Sequence, residues 1–414
     1  MAKPIAPPPR KNPQRRTRTP LLPPMHRSRL ALAMTAAAAE GKFVLQVCAT
    51  CRKPLYPPRE ACPWCLGMDL KWVEQPEGGR ILAETTVHTS VDPYFRERLP
   101  WRVGAVQMDC GPTALMHLHS DCVPRGRVRV RLYLDKGGQS VLMALPEKDT
   151  PNMLDDVQLR ELTCDPKHRR VLITDGRSPV GLAMAAALAD AGCSIVFVGV
   201  AETWRRDDDL VALEAMKHVE IMPLDLTDTV SVNELCGEIG GKVDILIHTA
   251  DYVRPGGVMT RPSVVTAKDE FEVNCFGLMR LAQSFGAAMA ARGADGVNSA
   301  VAWVNVLSVF ALSNWPEFGS HSASHAAAYS ISQCLRAELR QGGIRVLNVL
   351  TGPVDDDWRQ PLPPPKVAPE RIAKMILGGL IRGVEEIWVG DVAADIKERW
   401  TANPKVLERE LTAI

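Results

Sequence analysis

The sequence lacks any apolar run near the roughly 20 residues that a helix needs to span a bilayer, which excludes a helical membrane-spanning reading. It also lacks an excess of charge: 49 Lys and Arg stand against 48 Asp and Glu, a formal net of +1. Aromatic residues are few, at 5%. What is present, 46% hydrophobic and 23% charged residues over 414 positions, describes a globular chain long enough for two domains. The near-zero charge hides a split. Residues 1–39 carry eight basic residues and no acidic one, so the rest holds 41 basic against 48 acidic residues, a net of −7. A mildly acidic body is poor material for nucleic-acid binding, which draws on a basic face and on rings interleaved with cations. The barrel stretch described below offers only Tyr94, Phe95, Trp101 and Tyr133 for stacking.

Residues 1–24 hold eight prolines and six basic residues. Such a segment buries too little apolar surface to offset its ordering entropy, and residues 1–29 are expected to form a disordered Pro/Arg-rich tail. Leu30–Ala39 reads as a short Ala-rich helix leading into the first domain. The prolines at 20, 23 and 24 lie between the basic residues and this stretch and argue against an export signal. Of the 11 cysteines, four form one cluster. The other seven, Cys110, Cys122, Cys164, Cys193, Cys236, Cys275 and Cys334, are scattered as free thiols are in a reducing compartment. A cytoplasmic location is expected.

The clustered four are Cys48-Ala-Thr-Cys51 and Cys62-Pro-Trp-Cys65. Two such knuckles bring four thiolates to the corners of a tetrahedron, the donor set of a closed, structural Zn²⁺ site. A catalytic zinc keeps an open position, and a redox CxxC pair needs a thioredoxin-like context that is missing here.

Beyond the knuckles, Arg80–His88, Val103–Met108, Thr113–His119, Arg127–Leu134 and Val141–Leu145 read as strands separated by Gly/Pro turns. Five such strands fit a small, all-β OB-type barrel. In Arg127–Leu134, the guanidiniums of Arg127, Arg129 and Arg131 share one face and Val128, Val130 and Leu132 the other. That row could hold phosphate groups, which the resemblance drawn next would make those of a CoA moiety, or it could simply be the solvated outer face of the barrel. The two CxxC knuckles, Tyr56-Pro57-Pro58, Leu70, Trp72 and Gly79 together resemble the zinc-ribbon/OB-fold acyl-CoA accessory family. The resemblance spans about residues 30–148. It implies a leading helix and ribbon over 30–78, a barrel over 79–148, acyl-CoA as ligand and a thiolase-like or aldolase-like enzyme as partner. Members usually donate no catalytic side chain.

Residues 149–168 read as a linker, after which strand and helix alternate. Arg170–Thr174, Ser194–Val200, Val219–Pro223, Val243–Thr249, Ala300–Leu307 and Ile344–Leu350 are apolar strands with helical patterns between them. Together they predict an α/β, Rossmann-like, doubly wound parallel sheet. Thr174-Asp-Gly-Arg-Ser-Pro-Val-Gly181, Asp225-Leu-Thr-Asp228, Asn274, Ser308 and Gly352-Pro353 resemble landmarks of the short-chain dehydrogenase/reductase family over 169–414, with a C-terminal helical tail. The resemblance implies cofactor-binding positions at Thr174, Gly176, Gly181, Asp225 and Gly352. Catalytic positions fall at Asn274, Ser308, His321 and His325, and a homo-oligomer is implied. The match is incomplete. Asp175 and Pro179 replace glycines whose backbone N–H groups would approach a pyrophosphate, and Gly176 compensates in part. Gly199-Val200-Ala201 carries no ribose-binding acid, leaving Arg205 and Arg206 as weak candidates for a 2′-phosphate. Where Tyr and Lys belong, the chain reads His321-Ser-Ala-Ser-His325. His321 could still exchange protons. The pair could alternatively hold a metal at i, i+4, although no third ligand is legible.

The expectation is therefore an accessory, binding subunit for an acyl-CoA-processing enzyme of thiolase or aldolase type in lipid or steroid side-chain metabolism. Its zinc is structural, and its dehydrogenase-like half binds NAD or NADP poorly. An active NAD(P)-dependent oxidoreductase on a hydroxyacyl- or ketoacyl-CoA is the alternative, and a single-strand nucleic-acid binder the remote one.

Overall fold

A computed structural model of the chain describes residues 2–9, 20–25, 27–293 and 299–412. Of the tail expected to be disordered, residues 1, 10–19 and 26 lie outside the described residues. The chain divides into two compact units, with the principal boundary between Asp165 and Pro166.

In the first unit, the helix Leu32–Ala39 precedes a three-stranded ribbon of β1 (Val44–Cys48), β2 (Pro54–Leu55) and β3 (Leu70–Glu74), with β1 central and both pairings antiparallel. Five strands follow: β4 (Gly78–Val87), β5 (Trp101–Met108), β6 (Thr113–Leu118), β7 (Arg127–Leu134) and β8 (Ser140–Pro146). They close into a barrel in the order β4-β5-β6-β8-β7, with β6 and β8 parallel and the other pairs antiparallel. The period-two pattern of β7 places its side chains as expected. Val128, Val130, Leu132 and Leu134 are buried with Ile81, Val106, Met116 and Leu118, while the arginines face outward.

The segment expected to be a linker is not one throughout. Val157–Leu162 is a short helix whose N-cap carboxylate, Asp156, accepts the Leu159 N–H and also the Ser120 N–H of the barrel. Leu159 and Leu162 pack on Tyr133, Met143 and Leu145. Gln158 exchanges two hydrogen bonds with the backbone of Arg102, at 2.8 and 2.9 Å. Glu161 takes Arg98 and Lys136 at 3.0 Å. The apolar i, i+3 pair was too short to register as a helix, and tertiary burial decides the matter.

The second unit holds β9 (Arg170–Ile173), β10 (Ile195–Val200), β11 (Val219–Pro223), β12 (Ile245–His248), β13 (Ala302–Ser308), β14 (Arg345–Thr351) and β15 (Glu386–Val389). All pair in parallel in the order β11-β10-β9-β12-β13-β14-β15. Six strands were legible. The seventh, β15, lies where only a helical tail was expected, because four residues between two helices carry too little periodicity to register. Both faces of the sheet are covered, so its strands read as continuous apolar runs. Leu172, Phe197, Leu246, Trp303, Val346 and Phe285 share one core. Strand order reverses between β9 and β12. Loops leaving the carboxyl ends of these two strands diverge and open a crevice, where ligands bind in sheets of this kind.

Leu159 tests whether the linker helix belongs to the barrel. Leu159→Ala should destabilise the ribbon–barrel unit by about 2–5 kcal/mol in denaturant unfolding, the usual cost of emptying a buried leucine site. A change under about 0.5 kcal/mol, the range of an ordinary surface substitution, would show the helix to be detached.

Candidate functional site

The ribbon brings its four cysteines together. Their sulfurs lie within 4.8 Å of one another, with Cys48–Cys65 and Cys51–Cys62 at 3.5 Å. Zn–S bonds of about 2.3 Å in a tetrahedron set sulfurs about 3.8 Å apart, so the donor set fits Zn²⁺. The Cys51 backbone N–H draws the Cys48 thiol down to about 6, toward the thiolate that a metal requires.

The barrel arginines are neutralised. Arg127 forms a two-pronged pair with Asp109 at 2.7 Å and reaches Glu147; Arg129 takes Asp149 and the Pro146 carbonyl; Arg131 takes Glu77 at 3.2 Å. A phosphate at this row would have to compete with these carboxylates. Each guanidinium already has a carboxylate, and the face is a ladder of ion pairs.

In the second unit, a cavity of about 520 Å³ opens at the carboxyl ends of the central strands. Its wall combines Phe310, Trp315, Phe318 and Trp358 with Ser308, His321, His325 and Gly352. Six aspartates and two arginines line it, and both arginines are paired, Arg177 with Asp207 and Arg359 with Asp251 and Asp356.

The loop after β9 has spent its own donors. The Asp175 N–H goes to Thr249 Oγ1, the Gly176 N–H to the Gly199 carbonyl, the Arg177 N–H to the Asp175 carboxylate, and the Gly181 N–H to Ser178 Oγ. Asp175 thus sits where an anion would be received, and its enclosure raises its pKa. Gly176 does not compensate as expected, since its N–H is committed to β10. Gly181 is required by a close approach: a Cβ there would lie 1.8 Å from the Asp175 carbonyl oxygen. Thr174 Oγ1 accepts the Thr249 N–H and meets His248 Nδ1 at 3.0 Å, tying β9 to β12. Asp225 accepts from Thr227 N and Oγ1 in its own turn, outside the cavity wall. Arg205 and Arg206 pair with Glu202 and Glu214.

Asn274 lies in a π turn, Glu272–Phe276, and clamps the loop after β12 by exchanging hydrogen bonds with Tyr252 N and O; it also donates to Ser324 Oγ. It is not in the cavity wall. Ser308, the last residue of β13, is. Its Oγ accepts the Phe310 N–H at 3.3 Å, and its own N–H donates to His325 Nδ1 at 3.1 Å.

The structure adds two residues that the sequence did not reveal as partners of the histidines. Asp251, three residues beyond β12, places Oδ1 2.9 Å from His321 Nε2 and 3.1 Å from His325 Nε2, and its Oδ2 accepts from Arg359. Both histidines lie on one face of the helix Gly319–Leu339. Burial opposes the charge of Asp251, yet Arg359 and His321 hold its carboxyl well below the usual range. His325 is lowered by burial and by His321, and His248 by burial to about 4, so both stay neutral. A carboxylate standing at the end of β12, with two histidines at i, i+4 elsewhere, was the available signal for Asp251. Arg359 left none.

Asp251 supplies the third ligand that was not legible, and the three donor atoms lie within 4.8 Å of one another. The hydrogen-bond directions nevertheless disfavour a metal cage. Because His325 Nδ1 accepts the Ser308 N–H, its neutral ring carries the proton on Nε2 and donates it to Asp251. A ligating histidine would present that nitrogen bare.

With this geometry in place, the chain's resemblances to known proteins fall into line. Residues 35–70 match the family described as ChsH2, rubredoxin-like zinc ribbon domain; residues 72–133 match ChsH2, C-terminal OB-fold domain; residues 169–366 match short chain dehydrogenase. One chain thus joins segments similar to a ChsH2-type ribbon and OB fold to a segment similar to short chain dehydrogenases. An uncharacterized oxidoreductase of Mycobacterium tuberculosis is 31% identical over 206 residues, 48% of this chain and 58% of its own length. The match thus spans little more than half of that relative. A fatty acyl-CoA reductase of Acinetobacter baylyi is 25% identical over 53% of this chain and 76% of its own. Among solved structures, a short chain dehydrogenase from Burkholderia cenocepacia in complex with NADP superposes with a TM-score of 0.53 and 28% identity, covering 59% of this chain and 97% of that one. Among the described residues, no helix is long and apolar enough to cross a membrane.

The full-length chain should carry one tightly held zinc on Cys48, Cys51, Cys62 and Cys65, and chelation should unfold residues 43–75. Metal analysis well under one equivalent, with stability unchanged in chelator, contradicts this.

Proposed function

We propose that the protein is an accessory, binding subunit of an acyl-CoA-processing enzyme of thiolase or aldolase type, with the ribbon as its docking element. One observation carries the reading. The second knuckle holds its cysteines together while turning Trp64, Leu66 and Met68 to solvent, at 55, 78 and 78% exposure. Contiguous large apolar side chains are costly to leave in water and mark interaction surfaces. The barrel supports the same reading. Its charged face is internally paired, and the one cavity described lies in the dehydrogenase-like half, which on this reading supplies substrate shape or self-association.

Co-expression with a thiolase-type or aldolase-type enzyme from the same organism should yield a stable complex. Trp64→Glu with Leu66→Glu should weaken it at least tenfold, about 1.4 kcal/mol, with zinc content unchanged. A complex indifferent to both substitutions, or none with either enzyme type, refutes the docking role.

A second reading, an NAD(P)-dependent oxidoreductase on a hydroxyacyl- or ketoacyl-CoA, draws on the NADP complex of the Burkholderia relative and on the retained Ser308. Against it stand the committed N–H groups of the loop after β9, the aspartate-rich cavity wall and the two histidines. Dinucleotide binding should be weak, with dissociation constants above about 1 mM, or less than about 4 kcal/mol of binding. Titration calorimetry with NAD(H) and NADP(H) decides, and micromolar binding would favour the oxidoreductase.

A further inference from the structure

We propose that His321, oriented by Asp251, is the proton-transfer group of a nicotinamide-independent acid–base site acting on an uncharged carbonyl compound with an acidified C–H. The inference is independent of partner docking, because it concerns the chain alone.

The direction of each hydrogen bond leads to it. Asp251 Oδ1 lies 2.9 Å from His321 Nε2, so that nitrogen carries the ring proton and Nδ1 holds the free lone pair. His321 lines the cavity, and its Nδ1 has no hydrogen-bond partner among the described residues. A base held by an oriented carboxylate, with its second nitrogen facing a cavity, is the arrangement of a general acid–base pair. His325 cannot take this role, because Ser308 N–H occupies its Nδ1 and Asp251 its Nε2. The ion-paired group beside His321, Asp251 with Arg359 and Asp356, carries a net negative charge, and the other aspartates of the wall add to it.

Electrons and protons balance without a redox partner. His321 Nδ1 takes the proton from the carbon next to the carbonyl, and the C–H pair moves into the C=C bond of an enolate. Ser308 Oγ–H, whose oxygen accepts only the Phe310 N–H, donates to the enolate oxygen. The imidazolium then returns its proton to the same or a conjugated carbon. Nothing is oxidised or reduced, and the net change is exchange or isomerisation. The aspartates of the wall select against anions, and Phe310, Trp315, Phe318 and Trp358 favour an apolar, planar ligand.

The probe is 5-nitrobenzisoxazole, which is not a carbonyl compound but shares with the proposed ligand its neutral, planar shape and its acidified C–H, and so reads the proton-abstraction half of the reaction alone. Loss of its C3 proton to a base forms a nitrile as the N–O bond breaks to a coloured phenolate. The full zinc-loaded chain should accelerate this reaction, and His321→Ala should lose on the order of 10²-fold. Added imidazole should restore rate to His321→Ala, which a merely structural histidine would not allow. Nitrogen NMR of the unmodified chain should find His321 protonated on Nε2 with Nδ1 bare, a readout that does not depend on a variant folding. No acceleration by the unmodified chain, an unchanged rate in His321→Ala, or the opposite tautomer overturns the proposal. So does a second metal equivalent that His321→Ala removes.

Discussion

A carboxylate enclosed in protein must find donors for its charge, because desolvation costs several kcal/mol that only close hydrogen bonds and counter-charge recover. Asp251 meets this demand with two imidazoles and a guanidinium, and much of the second unit's cavity follows from it. The loop after β12, the helix Gly319–Leu339 and the short turn Asp357–Arg359 are fastened to one another through a single side chain. The same bonds fix which nitrogen of each histidine carries a proton. Two residues that look interchangeable at i and i+4 thereby acquire different roles: His325 is saturated on both sides, and His321 keeps one nitrogen for the cavity.

The loop after β9 answers the same need by another route. Its backbone donors would be orphaned around an absent anion, so the chain supplies acceptors itself through Asp175, Ser178 and Thr249. Backbone N–H groups already paired offer little to an incoming pyrophosphate, and Asp175 adds charge of the wrong sign. The ribbon stands in contrast. Its four sulfurs have no internal cation, so an ion must complete them, and their closure leaves neighbouring apolar side chains facing water. The loop's polar groups are satisfied from within, whereas the ribbon's four sulfurs form a donor set that suits an added ion.

Much of this was open to inspection in the chain itself. Two CxxC pairs at metal spacing, five short strands with Gly/Pro turns and six apolar strands alternating with helices specify ribbon, barrel and parallel sheet, because each depends on local periodicity or on thiolate chemistry. In β7 even the facing of each residue follows from the period of two. What escaped was short or non-local. β15 and the helix Val157–Leu162 have too few residues to establish a period, and only the surfaces they cover make them elements. The partners of Arg127, Arg129 and Arg131 come from other strands and loops, and no pattern within β7 announces them.

The candidate site divides along the same line. The sequence by itself showed, through its resemblance to short chain dehydrogenases, His321 and His325 where that resemblance leads one to expect Tyr and Lys, and Asp175 and Pro179 where it leads one to expect glycines, since these are matters of residue type at a position. It could not determine that Asp251, 70 residues from His321, would share its oxygen between both rings, or that Arg359 would close the other side. Only the tertiary structure decided that, because a hydrogen bond's direction depends on angles and distances set when β12, β13 and the helix Gly319–Leu339 pack together, and those are fixed by the core beneath them.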